Sequence, residues 1–481
     1  MTGPGAISGW EVWDALERTS RDHPAREAVC EYDARGHATA WSYPRLHHEA
    51  CAVAHTLSRR AAPGDRVVLD GTGGARQIST MLGAIRAGLW VLPVPLQTTP
   101  HELGNLFHRA NARLVIGPQQ RLPERGWLDW KATEGQHTPE PTITPGGVMM
   151  VTSGTTGARK LALRDCAALD ADARHVRDAT GLTPEDRVLL AISLSHSYAL
   201  DLIVGAVLAG ACVETVPVFD LPTIASRIAR GATVFPGVPF LFEGLGARWE
   251  GAGDLRLAFS AGTRLPCSTR RAFTDVTGVP IGDLYGATEL GTVVFRDPLD
   301  GDPAPGLVGR PLPGVSARVL DPSTGRTLAP GEEGELAIRA PSMLCGYEHA
   351  EPDLADGHFR TGDLARLDDR GRVHITGRLR FMIEAGGLKL NPIELEEVIE
   401  RHPGVRECLV LPMPASETVS RIRALVVPDP VAGEPSESEL RAYLRERVGP
   451  AKIPRRFEFV DALPRSSTGK LMRLPLEEVS R

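Results

Sequence analysis

Residues 152–160, TSGTTGARK, place four hydroxyls (Thr152, Ser153, Thr155 and Thr156), two glycines (Gly154 and Gly157) and the ammonium of Lys160 within nine positions. Glycine lets backbone N–H groups turn towards an anion, and the hydroxyls and ammonium add donors, so the set suits phosphate oxygens. It is not the GxxxxGK[ST] loop that runs into a helix: Leu161 follows Lys160, and LALR reads as a strand. Taken alone, the stretch is equally a Ser/Thr/Gly turn in a hairpin. Three further segments carry related chemistry. DLYGATEL (283–290) sets Asp283, Tyr285, Gly286, Thr288 and Glu289 at the end of an expected strand. There a ring can stack on a base, a hydroxyl can reach a phosphate and a carboxylate can hold Mg2+. RTGD (360–363) offers Asp363 as an acceptor for two ribose hydroxyls, and PRSSTGKLMR (464–473) offers Lys470 on a loop of small residues. Each alone fits an ordinary turn; in this order they point to a nucleotide.

These residues need a frame. GDRVVLDG (64–71) reads as a buried strand, followed by Ile78, Met81, Leu82 and Ile85 at helical spacing and then by the apolar VLPVP. The cadence recurs through DLIVGAVLAGACVETVPV and DLPTIASRIARGATVFPGVP, where Asp220 can cap a helix that Pro222 helps start. Alternating strands and helices predict an α/β fold with a largely parallel sheet over residues 1–300. From about 305 to 377 short strand-like pieces and the turns DPSTG and DDRG predict a β-rich subdomain. The N-terminal domain is thus expected to span 1–377. Beyond it, 378–481 reads as a small separate α+β C-terminal domain, with NPIELEEVI capped by Asn391, Pro392 at its first turn and Glu394 returning to the cap.

The 481 residues exceed one ordinary core, so at least two domains are expected. Apolar residues at 42% and charged residues at 24% are a soluble balance. No apolar run approaches the roughly 20 residues of a membrane span, and the first residues lack a signal-peptide pattern, so no membrane insertion and a cytoplasmic location are expected. A net charge of −6 gives no basic excess for nucleic acid. The seven cysteines are scattered and never in metal-ligand spacing, which supports neither a disulfide framework nor a zinc site. With 49 Arg and five Lys (131, 160, 389, 452 and 470), each lysine stands out, and four lie in or beside the segments above or below.

With AGTRLP (261–266), GRPLPG (309–314), GELAIRAPSMLCGY (334–347), RTGDLARLDDRGRVHITGRLRFMI (360–383) and GGLKLNPIELEEVI (386–399), the chain resembles the adenylate-forming superfamily of acyl-CoA synthetases, adenylation domains and luciferases over nearly its whole length. The resemblance implies a carboxylic acid activated by ATP and Mg2+ as an acyl-adenylate, then passed to a thiol, with coenzyme A expected as acceptor. A separate carrier protein or an amine is the alternative acceptor, since the chain ends soon after Lys470; a nucleotide-binding pseudoenzyme is a remote one. It implies Lys470 between substrate carboxylate and α-phosphate, Thr288 on phosphate, and Glu289 on Mg2+. Asp363 and Arg378 would hold the ribose, and Tyr285, with Asp283 and the Ala261–Gly262 backbone, the adenine. The 152–160 loop would close on the outer phosphates, and Arg380 would be the hinge. His196 would stand beside the reacting carboxylate, and Ser197 at the position where amino-acid-activating relatives carry an aspartate, which favours an acid without an α-amino group. Ser197 equally suits a helix N-cap. Tyr198 and the loop FPGVPF (235–240), with Phe235 and Gly237, would line the acyl pocket.

Overall fold

The computed structural model describes residues 9–473 apart from 72, 96–97, 119–120, 123–125, 130–145, 153–159, 247, 250, 252, 302, 382, 386–387, 415–419, 449–451 and 466–470. Of the positions singled out above, Ser153, Gly154, Thr155, Thr156, Gly157 and Lys470 lie outside the described residues, as do the side chains of Arg380 and Glu394.

Six parallel strands form the middle of a 14-stranded sheet, in the order Ile281–Ala287, Leu257–Ser260, Val234–Gly237, Arg187–Leu190, Cys212–Thr215 and Glu27–Tyr32. Parallel neighbours require a crossover, and the helices Ser197–Ala209 and Leu221–Ala229 supply two of them. Leu257–Ser260 and Cys212–Thr215 are buried throughout, as strands covered on both faces must be. The carboxyl ends of these strands therefore share one edge, the usual place for a ligand in such a sheet.

A seven-stranded sheet lies beside it, built on Arg66–Gly71 and its parallel neighbours. The helix Gly74–Arg86 buries Ile78, Met81, Leu82 and Ile85, as its periodicity predicts. The strands between 307 and 378 are not set apart by hydrogen bonding. Leu307–Pro311 pairs with Gly291–Arg296 and with Val373–Arg378, so most of the β-rich stretch extends the long sheet, while Gly346–Glu348 joins the second sheet. A third sheet of five strands, spanning 383–459, carries its own apolar cluster around Ile399, Val426, Leu440 and Leu444. Asn391 caps the helix Pro392–Ile399 by accepting from the Ile393 N–H, and its amide donates to Thr376 O, which ties this unit to the strand before it.

Candidate active site

The hairpin Gly147–Val151 and Leu161–Asp165 brings Thr152 and Lys160 together at the base of the glycine-rich loop, with Thr152 N donating to Lys160 O at 2.8 Å. Lys160 leads directly into a strand, as its sequence suggests. Its ammonium stands 4.9 Å from the centre of the Tyr347 ring. Tyr347 in turn donates its phenol to Glu289 Oε1 at 3.0 Å. Burial and the Glu289 charge raise the phenol's pKa, so it remains a donor. Tyr347 thus joins the expected metal-binding carboxylate to the phosphate-loop lysine, a link given only by the pairing of Gly346–Glu348 with Leu161–Asp165. A carboxylate fixed on one oxygen by a neutral donor is a hard oxygen ligand, and with phosphate oxygens it fits what Mg2+ takes.

Thr288 and Glu289 occupy the turn between the antiparallel strands Ile281–Ala287 and Gly291–Arg296. Gly291 makes that turn possible: its φ is +69°, and a Cβ there would lie 2.6 Å from Arg164 Nη2 and 2.8 Å from the Asp172 carboxyl carbon. Those two side chains are the floor of the turn. Arg164 is fully buried, pairs with Asp172, donates to Asp201 Oδ1 at 2.9 Å, and reaches Ser342 O at 3.2 Å. Asp172 accepts from Thr292 N at 2.8 Å, Ser342 donates to Leu290 O at 2.7 Å, and Leu344 N donates to Glu289 O at 2.7 Å. One guanidinium faces two carboxyls; burial, then the Asp172 charge, pushes the Asp201 carboxyl well above the usual carboxylate range.

Asp363 stands opposite Arg378 on paired strands and receives Arg378 Nε at 2.5 Å and the Tyr285 hydroxyl at 2.7 Å. Three residues expected at the nucleoside therefore converge, from positions separated by as many as 93 in sequence (378 minus 285). Burial and the nearby Asp363 charge keep Tyr285 protonated. Ala261 and Gly262 follow the strand Leu257–Ser260, with Gly262 at φ +84° and Ala261 N donating to Gly237 O. Gly286 sits against the backbone of Gly291, where a Cβ would meet the Gly291 O at 2.3 Å.

The structure alters several expectations. The Asp283 carboxylate does not face the nucleotide edge as an open acceptor: Arg270 Nη2 reaches one oxygen at 2.6 Å and Arg296 Nε the other at 2.7 Å, inside the sheet. FPGVPF is no loop, since Phe235–Gly237 ends a strand and Pro239 begins a helix. Phe235 is fully buried, edge-on to Phe242, and the Phe242 ring occupies the space a Cβ on Gly237 would need. The N-cap of the helix Ser197–Ala209 is His196, whose Nδ1 accepts from Tyr198 N at 3.2 Å. In the neutral ring the proton then sits on Nε2. Ser197, released from capping, places its hydroxyl 3.3 Å from that of Thr288, and Tyr198 is buried behind it. Arg380 lies in the short 3-10 turn Leu379–Phe381.

The fold also assembles groups that the spacing of the chain did not disclose. Cys30, Cys212 and Glu27 bring ligand-type atoms within 4.8 Å of one another. Arg187 already reaches Glu27 at 2.7 Å and Cys30 Sγ at 3.1 Å, so a guanidinium serves these groups. The buried Arg164 cluster had one signal in the sequence, a single aspartate in the apolar run SYALDLIVGAVLA.

Comparison with known proteins places this geometry among relatives. The family model described as AMP-binding enzyme matches residues 16–348, and that described as AMP-binding enzyme C-terminal domain matches 394–470. A feruloyl-CoA synthase of Amycolatopsis sp is 29% identical, covering 97% of each chain. A sulfoacetate–CoA ligase of Cupriavidus necator is 31% identical over 84% of this chain and 85% of its own. The crystal structure of ATP-bound MatB from Rhodopseudomonas palustris superimposes with a TM-score of 0.86 at 29% identity, covering 95% of this chain and 97% of that one.

Proposed function

The chain belongs to the AMP-binding enzyme family and is an acid–thiol ligase that forms an acyl-adenylate from ATP and passes the acyl group to coenzyme A; we propose that its acid lacks an α-amino group, being aryl or aliphatic. The observation that carries the proposal is the setting of Ser197. The helix start beside Thr288 presents an imidazole and a hydroxyl, while the nearest carboxyl in that helix, Asp201, is sealed against Arg164. An α-ammonium would have no counter-charge among these groups and would lose its hydration without recompense.

In the first step an oxygen of the substrate carboxylate attacks the α-phosphorus of ATP and the bond to pyrophosphate breaks. In the second, the thiol sulfur attacks the acyl carbon, its proton leaves, and AMP departs. The protein's part is alignment and charge neutralisation. Asp363, oriented by Tyr285 and Arg378, accepts the ribose hydroxyls. Ser197 and Thr288 set the acyl pocket and the phosphate site side by side, and His196 Nε2–H is a donor for the carboxylate. Lys160 and Thr152 support the phosphate loop. Glu289 would hold Mg2+ on the phosphate oxygens, where the ion's charge offsets that of the leaving pyrophosphate. Lys470 bridges the substrate carboxylate and α-phosphate, and the unit that carries it turns at Arg380 between the two steps.

A panel of carboxylic acids assayed by ATP–pyrophosphate exchange, then with coenzyme A and mass detection of the thioester, tests this. Exchange with aryl or aliphatic acids and none with α-amino acids is expected; exchange led by an amino acid would overturn the proposal. Exchange without any coenzyme A thioester would instead indicate a carrier-bound phosphopantetheine thiol.

A further inference from the structure

Arg264 belongs to the segment that follows the strand Leu257–Ser260, two residues past Gly262, yet its side chain leaves the large domain. Nη1 donates to Glu397 Oε1 at 3.1 Å and Nη2 to Glu400 Oε2 at 2.8 Å. Both acids lie at the C-terminal end of the helix Pro392–Ile399, where the helix dipole also favours a cation. A second bridge between the same two units is looser: Arg406 Nε stands 3.6 Å from Glu243, and Ser268 Oγ 3.5 Å from Arg406 O.

The gripped helix is also the anchor of the loop that carries Lys470. The ends of that loop are pinched together by the bridge between Arg465 and Leu471 and by Met472 N donating to Pro464 O at 2.8 Å. Each flanking arginine is then paired into the small domain, Arg465 to Glu407 at 2.5 Å and Arg473 to both oxygens of Glu396 at 2.6 Å. Glu396 and Glu397 are adjacent on one helix. A path of direct contacts therefore runs from Arg264 through Glu397 and its neighbour Glu396 to Arg473, three residues after Lys470 in sequence.

We propose that Arg264 is a positioning residue for adenylation: its fork on Glu397 and Glu400 docks the small domain in the orientation that serves the first step, and its release lets that domain turn for thiol transfer. The proposal rests on the functional reading above, in which Lys470 serves the first step. The location fits a contact that must break. At the side chains, Arg264 is 29% exposed, Glu397 19% and Glu400 13%, so water can replace each partner as the surfaces part.

The test uses the full-length enzyme with an acid it activates. For Arg264→Ala we expect ATP–pyrophosphate exchange to fall about tenfold, while conversion of supplied acyl-adenylate to the thioester stays at or above the wild-type rate. Arg264→Lys should recover part of the exchange, and Arg264→Glu combined with Glu397→Arg and Glu400→Arg should recover more than the single reversal. Thermal unfolding of each variant separates misfolding from misdocking, because a folding defect lowers both half-reactions together. Equal loss in both half-reactions at unchanged thermal stability, or wild-type exchange in Arg264→Ala, would overturn the docking role. Absence of exchange by the wild-type enzyme with every acid would instead overturn the functional reading itself.

Discussion

Arg164 and Arg264 are each held between two carboxyls, and they do opposite work. Arg164, between Asp172 and Asp201, is fully buried beneath the turn that carries Thr288 and Glu289. Arg264, between Glu397 and Glu400, bridges two units and stays partly wet. In the sealed cluster a second negative charge cannot be rehydrated, burial pushes the Asp201 carboxyl upward, and Arg164 stays locked between its partners. In the partly exposed cluster each charge regains water as the surfaces part, so the contact can be made and broken. The same motif thus fixes the site in one place and frees it to rearrange in the other.

The sharpest way to break this comparison is to remove the sealed cation. Arg164→Met should leave Asp172 buried without its partner and cost about 3–5 kcal/mol of stability, read as a large fall in the midpoint of thermal unfolding. A change no greater than that of Arg264→Ala would put the two clusters on an equal footing and refute the distinction. Next come the two acids of the sealed cluster, which should not be equivalent. Asp172→Asn weakens both the pairing with Arg164 and the contact with Thr292 N, and should cost about 2 kcal/mol or more together with pyrophosphate exchange. Asp201→Asn keeps an acceptor for Arg164 where burial already disfavours a charge, and should cost under about 1 kcal/mol. The reverse order would mean that Asp201, not Asp172, is the principal partner of Arg164.

The smallest effect concerns pH. Burial, opposed by Arg264 and assisted by Glu396, pushes Glu400 from an ordinary 4.5 to about 7; Cys408 N–H also donates to it, with Glu397 and the Arg473-paired Glu396 nearby. A carboxyl raised in this way favours the folded state while protonated, and that contribution declines as pH rises from about 4.5 through 7. The charged arm of the Arg264 contact appears over the upper part of the same window. Pyrophosphate exchange should therefore gain a rise of a few fold between pH 6 and 8 that Glu400→Gln flattens, measured at saturating substrates. An unchanged profile in Glu400→Gln would exclude Glu400 as its source.

Local order was legible in the chain where it depends on local chemistry. Asn391 and Pro392 start a helix because a cap and a preset φ act over a few residues, and Lys160 enters a strand because LALR cannot continue the glycine-rich turn. The convergence of Tyr285, Asp363 and Arg378 followed from a resemblance that covers all three segments. What stayed hidden depends on where distant segments return. Arg164 meets Ser342 and Arg264 meets Glu397 across 178 and 133 positions, and no periodicity reports such pairs. Asp283 was expected at the adenine from its place beside Tyr285, yet Arg296, its register partner on the next strand, and Arg270 take its two oxygens. The β-rich stretch was legible from its dense turns; that its strands continue the long sheet by backbone pairing was not.

The central claim is that one site runs two steps, with a lysine delivered by the small domain for the first step alone. Lys470→Ala, assayed on one preparation for ATP–pyrophosphate exchange and for thioester formation from supplied acyl-adenylate, tests it most directly. Exchange should be lost and thioester formation largely kept. Exchange near the wild-type rate, or equal loss of both steps in a protein that unfolds at the wild-type temperature, would contradict it.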